Sequence, residues 1–270
     1  MSRAPDYMTL LRTNAAGAVV NTQNLIGGGD HAKVGTEWFG EFAESGRLVA
    51  TPTGFAAYFA LHRRWPDGIG HQGDTLRLFD GSGNPVGAGW GWGCSHSLDQ
   101  RLTSGSRVGA LCLSDCYPQK AIMLNHNETV VSDEPSGNCA GGSSARLGGV
   151  GGDASGFVAA VLSREGRTSL DVKVVRIAGG KASATWLTTT PEDESSLHLA
   201  RFGGAWLAGW TAGGQKKLQR VDSTGAAAGA PETVTAPWPE HDFIGVAGGH
   251  TAWAAVEGGK LSVVRVRACP

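Results

Sequence analysis

The chain has 270 residues, of which 42 are glycine and 17% are charged, and its formal net charge is −1. This length allows one domain with a large core, and the near-neutral charge excludes the basic surface with which proteins bind nucleic acid or an anionic membrane. No apolar run approaches the roughly 18 to 20 residues that cross a bilayer, so we expect no membrane span.

The amino-terminal residues and the cysteines bear on the compartment. Residues 1–6 lack the apolar core of a signal peptide, so the protein is either cytosolic or has lost a native leader. There is no Cys-x-x-Cys pair, and we predict one or two disulfides among Cys94, Cys112, Cys116 and Cys139, with small buried thiols as the alternative. We therefore expect a secreted or periplasmic protein whose native signal peptide is absent from this sequence.

Taken in chain order, the sequence first shows a hairpin pattern, in which residues 8–12 and 18–22 flank a short polar turn. The same pattern returns at residues 75–86 and at residues 217–225. Each turn supplies Asn or Asp together with glycine, and these residues tolerate the positive φ that a chain reversal needs. The three segments are therefore predicted to be β-hairpins.

A second repeated unit is a pair of short apolar strands rich in small residues. Its copies lie at residues 47–61, 107–124, 147–162, 197–210 and 243–256. Small residues suit strands whose backbones approach one another closely. We predict that these pairs are the inner strands of sheets that crowd around a common axis.

Residues 147–187 contain the clearest copy of the whole unit. A glycine-broken apolar run and a compact apolar run are followed by a strand in which Val172, Val174 and Ile177 alternate with charged residues. A tight glycine turn then leads to a last strand at residues 182–187. This alternation is typical of a half-buried strand and not of a helix, so the segment is predicted to be a four-stranded antiparallel sheet.

The turns near positions 80, 127, 179, 222 and 268 recur about every 43 to 52 residues, a spacing typical of propeller blades. In this architecture the chain resembles β-propeller repeat proteins over most of its length. We predict one all-β domain over residues 1–270, with about five four-stranded blades and a ring closed by the amino- and carboxy-terminal strands. Six blades are the alternative if residues 27–44 hide a strand, and a two-sheet sandwich is the competing fold.

The densest group of chemically reactive residues follows the second predicted hairpin. Trp90 and Trp92 are two apart, so on a strand they would share a face. The polar residues that follow are close enough in the chain to converge between two blades: His96, Asp99, Arg101 and Asp115. Carboxylate and guanidinium groups beside an indole can bind a sugar's hydroxyls and its apolar face. The same polar groups could instead satisfy buried backbone between blades.

Two further stretches have open interpretations. Trp65 lies in an insertion at residues 63–73 and either marks a contact site or folds back onto the blade edge. Asp30–His31 and His241–Asp242 lie near predicted blade junctions. We interpret them as solvated loop residues, with convergence around the axis as the alternative.

A binding module fits these features better than an enzyme does. Ser95 and His96 are adjacent, but neighbours on a strand point to opposite faces, and there is no Gly-x-Ser-x-Gly motif. The eight histidines show no paired metal-ligand spacing, so we expect neither a metal nor a cofactor. We therefore expect an exported, lectin-like binding module for carbohydrate or another cell-surface ligand. The alternatives are a scaffold for a protein partner, or a propeller hydrolase or lyase that uses His96 with Asp99 or Asp115.

Overall fold

The computed structural model describes residues 8–39, 46–87, 89–96, 99–139 and 142–268. These residues contain strands and no helix, and the strands form five small antiparallel sheets arranged in a ring. The protein is therefore a five-bladed β-propeller, as the repeats predict. The described residues contain no helix that could span a membrane.

The amino-terminal hairpin and the first blade use six strands. The hairpin consists of β1 (Met8–Thr13) and β2 (Val19–Ile26). The first blade contains β3 (Glu37–Trp38), β4 (Gly46–Thr51), β5 (Gly54–Arg64) and β6 (Gly70–Asp80). Strand β5 pairs with β4, β6 and, at its far end, β3. Residues 40–45 lie outside the described residues, and the stretch 27–39 adds only β3, so no sixth blade is seen there.

The next three blades each have four strands in simple antiparallel order. The second blade contains β7 (Asp99–Ser104), β8 (Val108–Leu113), β9 (Lys120–Leu124) and β10 (Thr129–Pro135). The third contains β11 (Arg146–Asp153), β12 (Gly156–Ser163), β13 (Asp171–Ala178) and β14 (Lys181–Trp186). The fourth contains β15 (Ser195–Phe202), β16 (Ala205–Ala212), β17 (Gln215–Val221) and β18 (Glu232–Val234). The third blade confirms the four strands predicted for residues 147–187.

The fifth blade has three strands, β19 (Ile244–Val246), β20 (His250–Glu257) and β21 (Lys260–Val266). In the described part of the chain β21 pairs with β20, and β1 pairs with β2, so no ladder there joins the two chain ends. The face of this blade away from the fourth blade is open to solvent, and Val256, Leu261 and Val263 on it are 59%, 67% and 76% exposed. The other face packs through Trp253.

Most of the core lies between neighbouring sheets. Five separate apolar clusters fill the ring, and four of them lie between successive blades. The fifth lies between the first blade and the amino-terminal hairpin, where Met8 and Leu10 pack against Phe59 and Leu61. Trp206, Trp210 and Trp253 are each at most 2% exposed, and burial of one such ring stabilises the fold by roughly 4 to 6 kcal/mol before chain entropy is counted.

Glycine allows the inner strands to approach their neighbours. A methyl group added at Gly151 of β11 would lie 1.9 Å from Cζ3 of Trp206. One added at Gly152 would lie 2.9 Å from the backbone of Gly105 in the preceding blade. Carbon atoms pack best at about 3.5 to 4.0 Å, so no larger residue fits at these two positions without a shift. The crowding predicted for the small-residue strands is therefore present.

Candidate functional site

A central channel runs between the inner strands of the five blades. Its cavity has a volume of about 550 Å³. Each inner strand contributes to the lining, including Leu48 of β4, Thr103 of β7, Val150 of β11, Leu199 of β15 and Gly245 of β19. A concave site that is both apolar and polar is the usual form of a small-molecule site.

A ring of four charged side chains lies at one end of this channel. The Nε of Arg101 is 2.8 Å from Oδ1 of Asp242, and the Nε of Arg47 donates to Oδ2 of the same carboxylate at 2.9 Å. The Nη1 of Arg101 donates to Oδ1 of Asp99 at 2.5 Å. The Arg101 side chain is only 10% exposed, and a buried guanidinium needs such partners. The four side chains thus neutralise one another.

His198 packs behind this ring. It is 4% exposed, stacks on Phe243 with ring centroids 4.9 Å apart, and has no hydrogen-bond partner for either ring nitrogen among the described residues. Burial, together with the nearby Arg101 charge, lowers the pKa of His198 to about 4, although Asp242 acts in the opposite direction. The imidazole is therefore neutral at physiological pH.

His96 and Asp115 meet away from the channel, beside a disulfide. The Nδ1 of His96 lies 3.0 Å from Oδ1 of Asp115. Burial raises the pKa of Asp115, and the interaction with His96 partly opposes that rise. The disulfide joins Cys116 to Cys139, and a second one joins Cys94 to Cys112. The predicted disulfides are confirmed, and both are present.

The structure brings His96 and Asp115 together, but Ser95 does not complete a catalytic triad with them. The Oγ of Ser95 lies 3.3 Å from Nδ1 of His96, the same nitrogen that faces Asp115. A catalytic triad needs the hydroxyl and the carboxylate on opposite ring nitrogens. Asp99, the other proposed partner, is bound to Arg101. The described residues therefore form no Ser95–His96–Asp115 triad.

Trp90 and Trp92 lie on opposite faces of the first blade, so the prediction that they share a face is wrong. Trp90 packs edge-on to Tyr58 with centroids 5.7 Å apart, whereas Trp92 packs in the cluster that contains Phe59. The reason is local: the chain after β6 follows that strand irregularly, through backbone bonds such as Leu76 N–H to Trp90 O at 3.2 Å, without forming a regular strand.

Trp90 belongs to a buried polar cluster. Its Nε1 donates to Oδ1 of Asp74 at 3.3 Å, and the Cys94 N–H donates to the same oxygen at 3.1 Å. The Tyr58 hydroxyl donates to the other carboxylate oxygen. Burial raises the pKa of Tyr58 well above its ordinary value, and the Asp74 charge adds to the rise. Asp74 is 0% exposed, so its carboxylate is enclosed by these donors.

Trp92 forms part of a second aromatic group at the end of a projecting hairpin. Strands β5 and β6 continue past the end of β4, through residues 60–64 and 70–74. At their tip Trp65, which is 36% exposed, lies edge-on to Trp92 at 5.2 Å and to His71 at 6.3 Å. The Arg63 guanidinium lies 5.8 Å from the Trp65 ring centroid. We call Arg63, Trp65, Asp67, His71 and Trp92 the aromatic tip.

The polar members of the aromatic tip are held in place. His71 Nε2 is 2.7 Å from Oδ2 of Asp67, and the Ile69 N–H donates to Oδ1 of Asp67 at 2.8 Å. These two interactions keep the pKa of Asp67 below its usual range. On the other side of the same hairpin, Trp38 stacks between His31 and His62 at 4.7 and 5.5 Å. The hairpin thus presents aromatic rings on both sides.

The six residues predicted to form a site fall into separate groups. Asp99 pairs with Arg101 of the channel lining, and His96 pairs with Asp115. Trp90 is part of the buried cluster, and Trp92 belongs to the aromatic tip. The channel also uses Asp242 and Arg47, of which the sequence pattern did not single out Arg47. Asp242 was interpreted as a solvated loop residue, and that interpretation is wrong. The alternative, convergence around the axis, holds for Asp242. Asp242 lies just before the inner strand β19 and Asp99 is the first residue of the inner strand β7, and this shared position was the available signal.

No protein-family model and no curated protein matches this chain.

Proposed function

We propose that the protein is an exported binding module that recognises carbohydrate on a cell surface or in a polysaccharide, and that the aromatic tip is its contact site. The observation that carries this proposal is Trp65, which is 36% exposed at the end of a hairpin that extends past β4 and is supported edge-on by Trp92. An indole supported in this way presents a rigid apolar face at little entropic cost. The two disulfides support an oxidising compartment.

The polar groups beside Trp65 suit a hydroxylated ligand. Asp67 has a 48% exposed side chain and His71 a 35% exposed one, so both can accept or donate a bond to a sugar hydroxyl while keeping their mutual contact. Arg63 adds a donor next to the same ring. Charged donors and acceptors around an aromatic face fix the orientation of the bound sugar, and the ring provides the area that contacts it.

The matching experiment is a glycan array followed by titration of the best glycan. We expect Trp65→Ala and Trp92→Ala to weaken binding at least tenfold, about 1.4 kcal/mol, and Asp67→Asn to weaken it less. Trp186→Ala removes another partly buried indole, on β14 of the third blade, and serves as the matched control with unchanged binding. A full array without a bound glycan, or equal binding by Trp65→Ala and the wild type, would overturn the proposal.

A further inference from the structure

The two disulfides differ sharply in accessibility. Cys94 and Cys112 are 0% and 1% exposed. Cys139 is exposed and Cys116 is partly exposed. Thiol–disulfide exchange requires that an attacking thiolate reach a sulfur atom. A dithiol reductant should therefore open Cys116–Cys139 in the folded protein and leave Cys94–Cys112 intact.

Two side chains of types that bind metals lie beside the exposed disulfide. The two sulfur atoms and a ring nitrogen of His96 lie within 4.8 Å of one another. Asp115 adds a carboxylate, 3.0 Å from Nδ1 of His96. Two thiolates, an imidazole and a carboxylate form the donor set that Zn²⁺ binds tetrahedrally. A carboxylate that hydrogen-bonds the ligating histidine is also the usual support of such a site.

The donors are positioned by bonds other than the disulfide. The Cys139 N–H donates to Asp115 O at 2.7 Å, and the Ser136 hydroxyl donates to Cys116 O at 3.1 Å. The Ser95 N–H donates to Tyr117 O at 2.6 Å, which fixes the segment that carries His96. These contacts involve backbone and hydroxyl atoms and no sulfur, so we expect them to hold the reduced cysteines beside the imidazole.

We propose that reduction of Cys116–Cys139 converts this position into a Zn²⁺ site with Cys116, Cys139 and His96 as ligands and Asp115 as the fourth ligand or the support of His96. A dithiol supplies two electrons and two protons, the sulfur–sulfur bond breaks to give two thiols, and the dithiol becomes its own disulfide. Binding of Zn²⁺ then releases the two thiol protons. The site is independent of the carbohydrate proposal.

The second disulfide provides an internal comparison. Asp74 lies beside Cys94 and Cys112, with ligand atoms within 4.8 Å. Its carboxylate already accepts bonds from Tyr58, Trp90 Nε1 and the Cys94 N–H, and it is 0% exposed. A metal ion there would have to displace these three hydrogen bonds. It would also have no path from solvent to the buried carboxylate. We therefore expect the buried group to bind no metal.

The experiment uses the full chain with Cys269→Ser, since that fifth cysteine lies outside the described residues. The protein is treated with dithiothreitol, desalted without oxygen and titrated with Zn²⁺ against a competing chromophoric chelator. We expect one Zn²⁺ per chain in the reduced protein and none in the oxidised protein. Mass mapping after alkylation should locate the two new thiols at Cys116 and Cys139. Co²⁺ in place of Zn²⁺ should give thiolate-to-metal charge-transfer absorption.

Variants test which side chains hold the Zn²⁺. Cys116→Ser with Cys139→Ser should lower the Zn²⁺ affinity at least a hundredfold and His96→Ala at least tenfold, whereas Cys94→Ser with Cys112→Ser should leave it unchanged. The reduced and oxidised forms of the same chain are compared first, so the result does not depend on a variant that fails to fold. No zinc in the reduced protein, equal zinc in both forms, or zinc retained by the Cys116/Cys139 variant would overturn the proposal.

Discussion

Gly151→Ala tests the packing of the inner strands most directly. An added Cβ at this position would lie 1.9 Å from Cζ3, 2.6 Å from Cη2 and 2.7 Å from Cε3 of Trp206. Carbon atoms pack at about 3.5 to 4.0 Å, so the indole would have to move by roughly 1.5 Å. Trp206 is 1% exposed and belongs to the cluster between the third and fourth blades. Moving the ring would therefore disturb its contacts in this cluster.

The expected cost follows from this confinement. Overpacking of a filled core costs about 1 to 3 kcal/mol and occasionally more, and we expect Gly151→Ala to lie near the upper end, about 3 kcal/mol. For a chain of this size 1 kcal/mol corresponds to roughly 2 to 4 °C, so the midpoint should fall by about 6 to 12 °C. Calorimetry and urea unfolding, followed by circular dichroism, measure both quantities.

Two controls show whether the indole contact is the cause. Gly81→Ala adds the same methyl group in a turn where nothing lies within 4 Å, and it should change the free energy of unfolding by less than about 0.5 kcal/mol. Adding Trp206→Leu to Gly151→Ala should cost less than the sum of the two single changes, because the clash is removed with the ring. A Gly151→Ala protein as stable as the Gly81→Ala protein would refute the packing described here.

Three other predictions concern charge. Burial, together with the Arg101 charge, holds the pKa of His198 near 4, below 6.5 in the unfolded chain. The free energy of unfolding should therefore fall by about 3 kcal/mol as the pH drops from 7 to 3. In urea titrations His198→Phe should remove this pH dependence. Burial opposes ionisation of Asp153, but hydrogen bonds from Arg176 and Ser155 outweigh it and lower the pKa of this carboxyl to about 2. The stability that the ionised carboxylate contributes is therefore complete above about pH 4 and is lost as the pH falls through 2. Asp153→Asn should make the free energy of unfolding depend less on pH in this range. A double-mutant cycle with Arg47→Ala and Asp242→Ala should give a coupling of about 0.5 to 1 kcal/mol, and additive changes would contradict the ion pair.

Most of the fold could be predicted from the repeat pattern of the sequence. The alternation in residues 170–177 predicted a strand, and β13 (Asp171–Ala178) pairs with β12 and β14. The prediction that this strand is half-buried is wrong: Asp171 and Lys173 are 1% and 7% exposed, because each pairs with an opposite charge, Arg167 and Glu165 respectively. Turns with glycine and Asn or Asp located the hairpins because positive φ is a local requirement. Blade number followed from counting inner pairs. These features depend on neighbouring residues along the chain, which a sequence displays directly.

The candidate site was harder to predict because its contacts are distant in sequence. Arg47 and Asp242 are 195 residues apart, and their bond depends on how the ring brings the first and fifth blades together. The separation of Trp90 from Trp92 also depended on context: period-two reasoning holds only where the chain is a regular strand, and the segment after β6 is not one. Trp65 was predicted either to mark a contact site or to fold back onto the blade edge, but its contact with Trp92 could be seen only in the structure.

The one-sided packing of the last blade determines the order in which the blades should unfold. Its strands β20 and β21 bury one face, while Val263 on the other face is 76% exposed. Segments with few buried contacts open at lower free energy than the rest of a fold. Amide protons of β21 should therefore exchange with solvent well before those of β12 and β13, which are enclosed on both faces. We expect the fifth blade to unfold locally before the other four blades do.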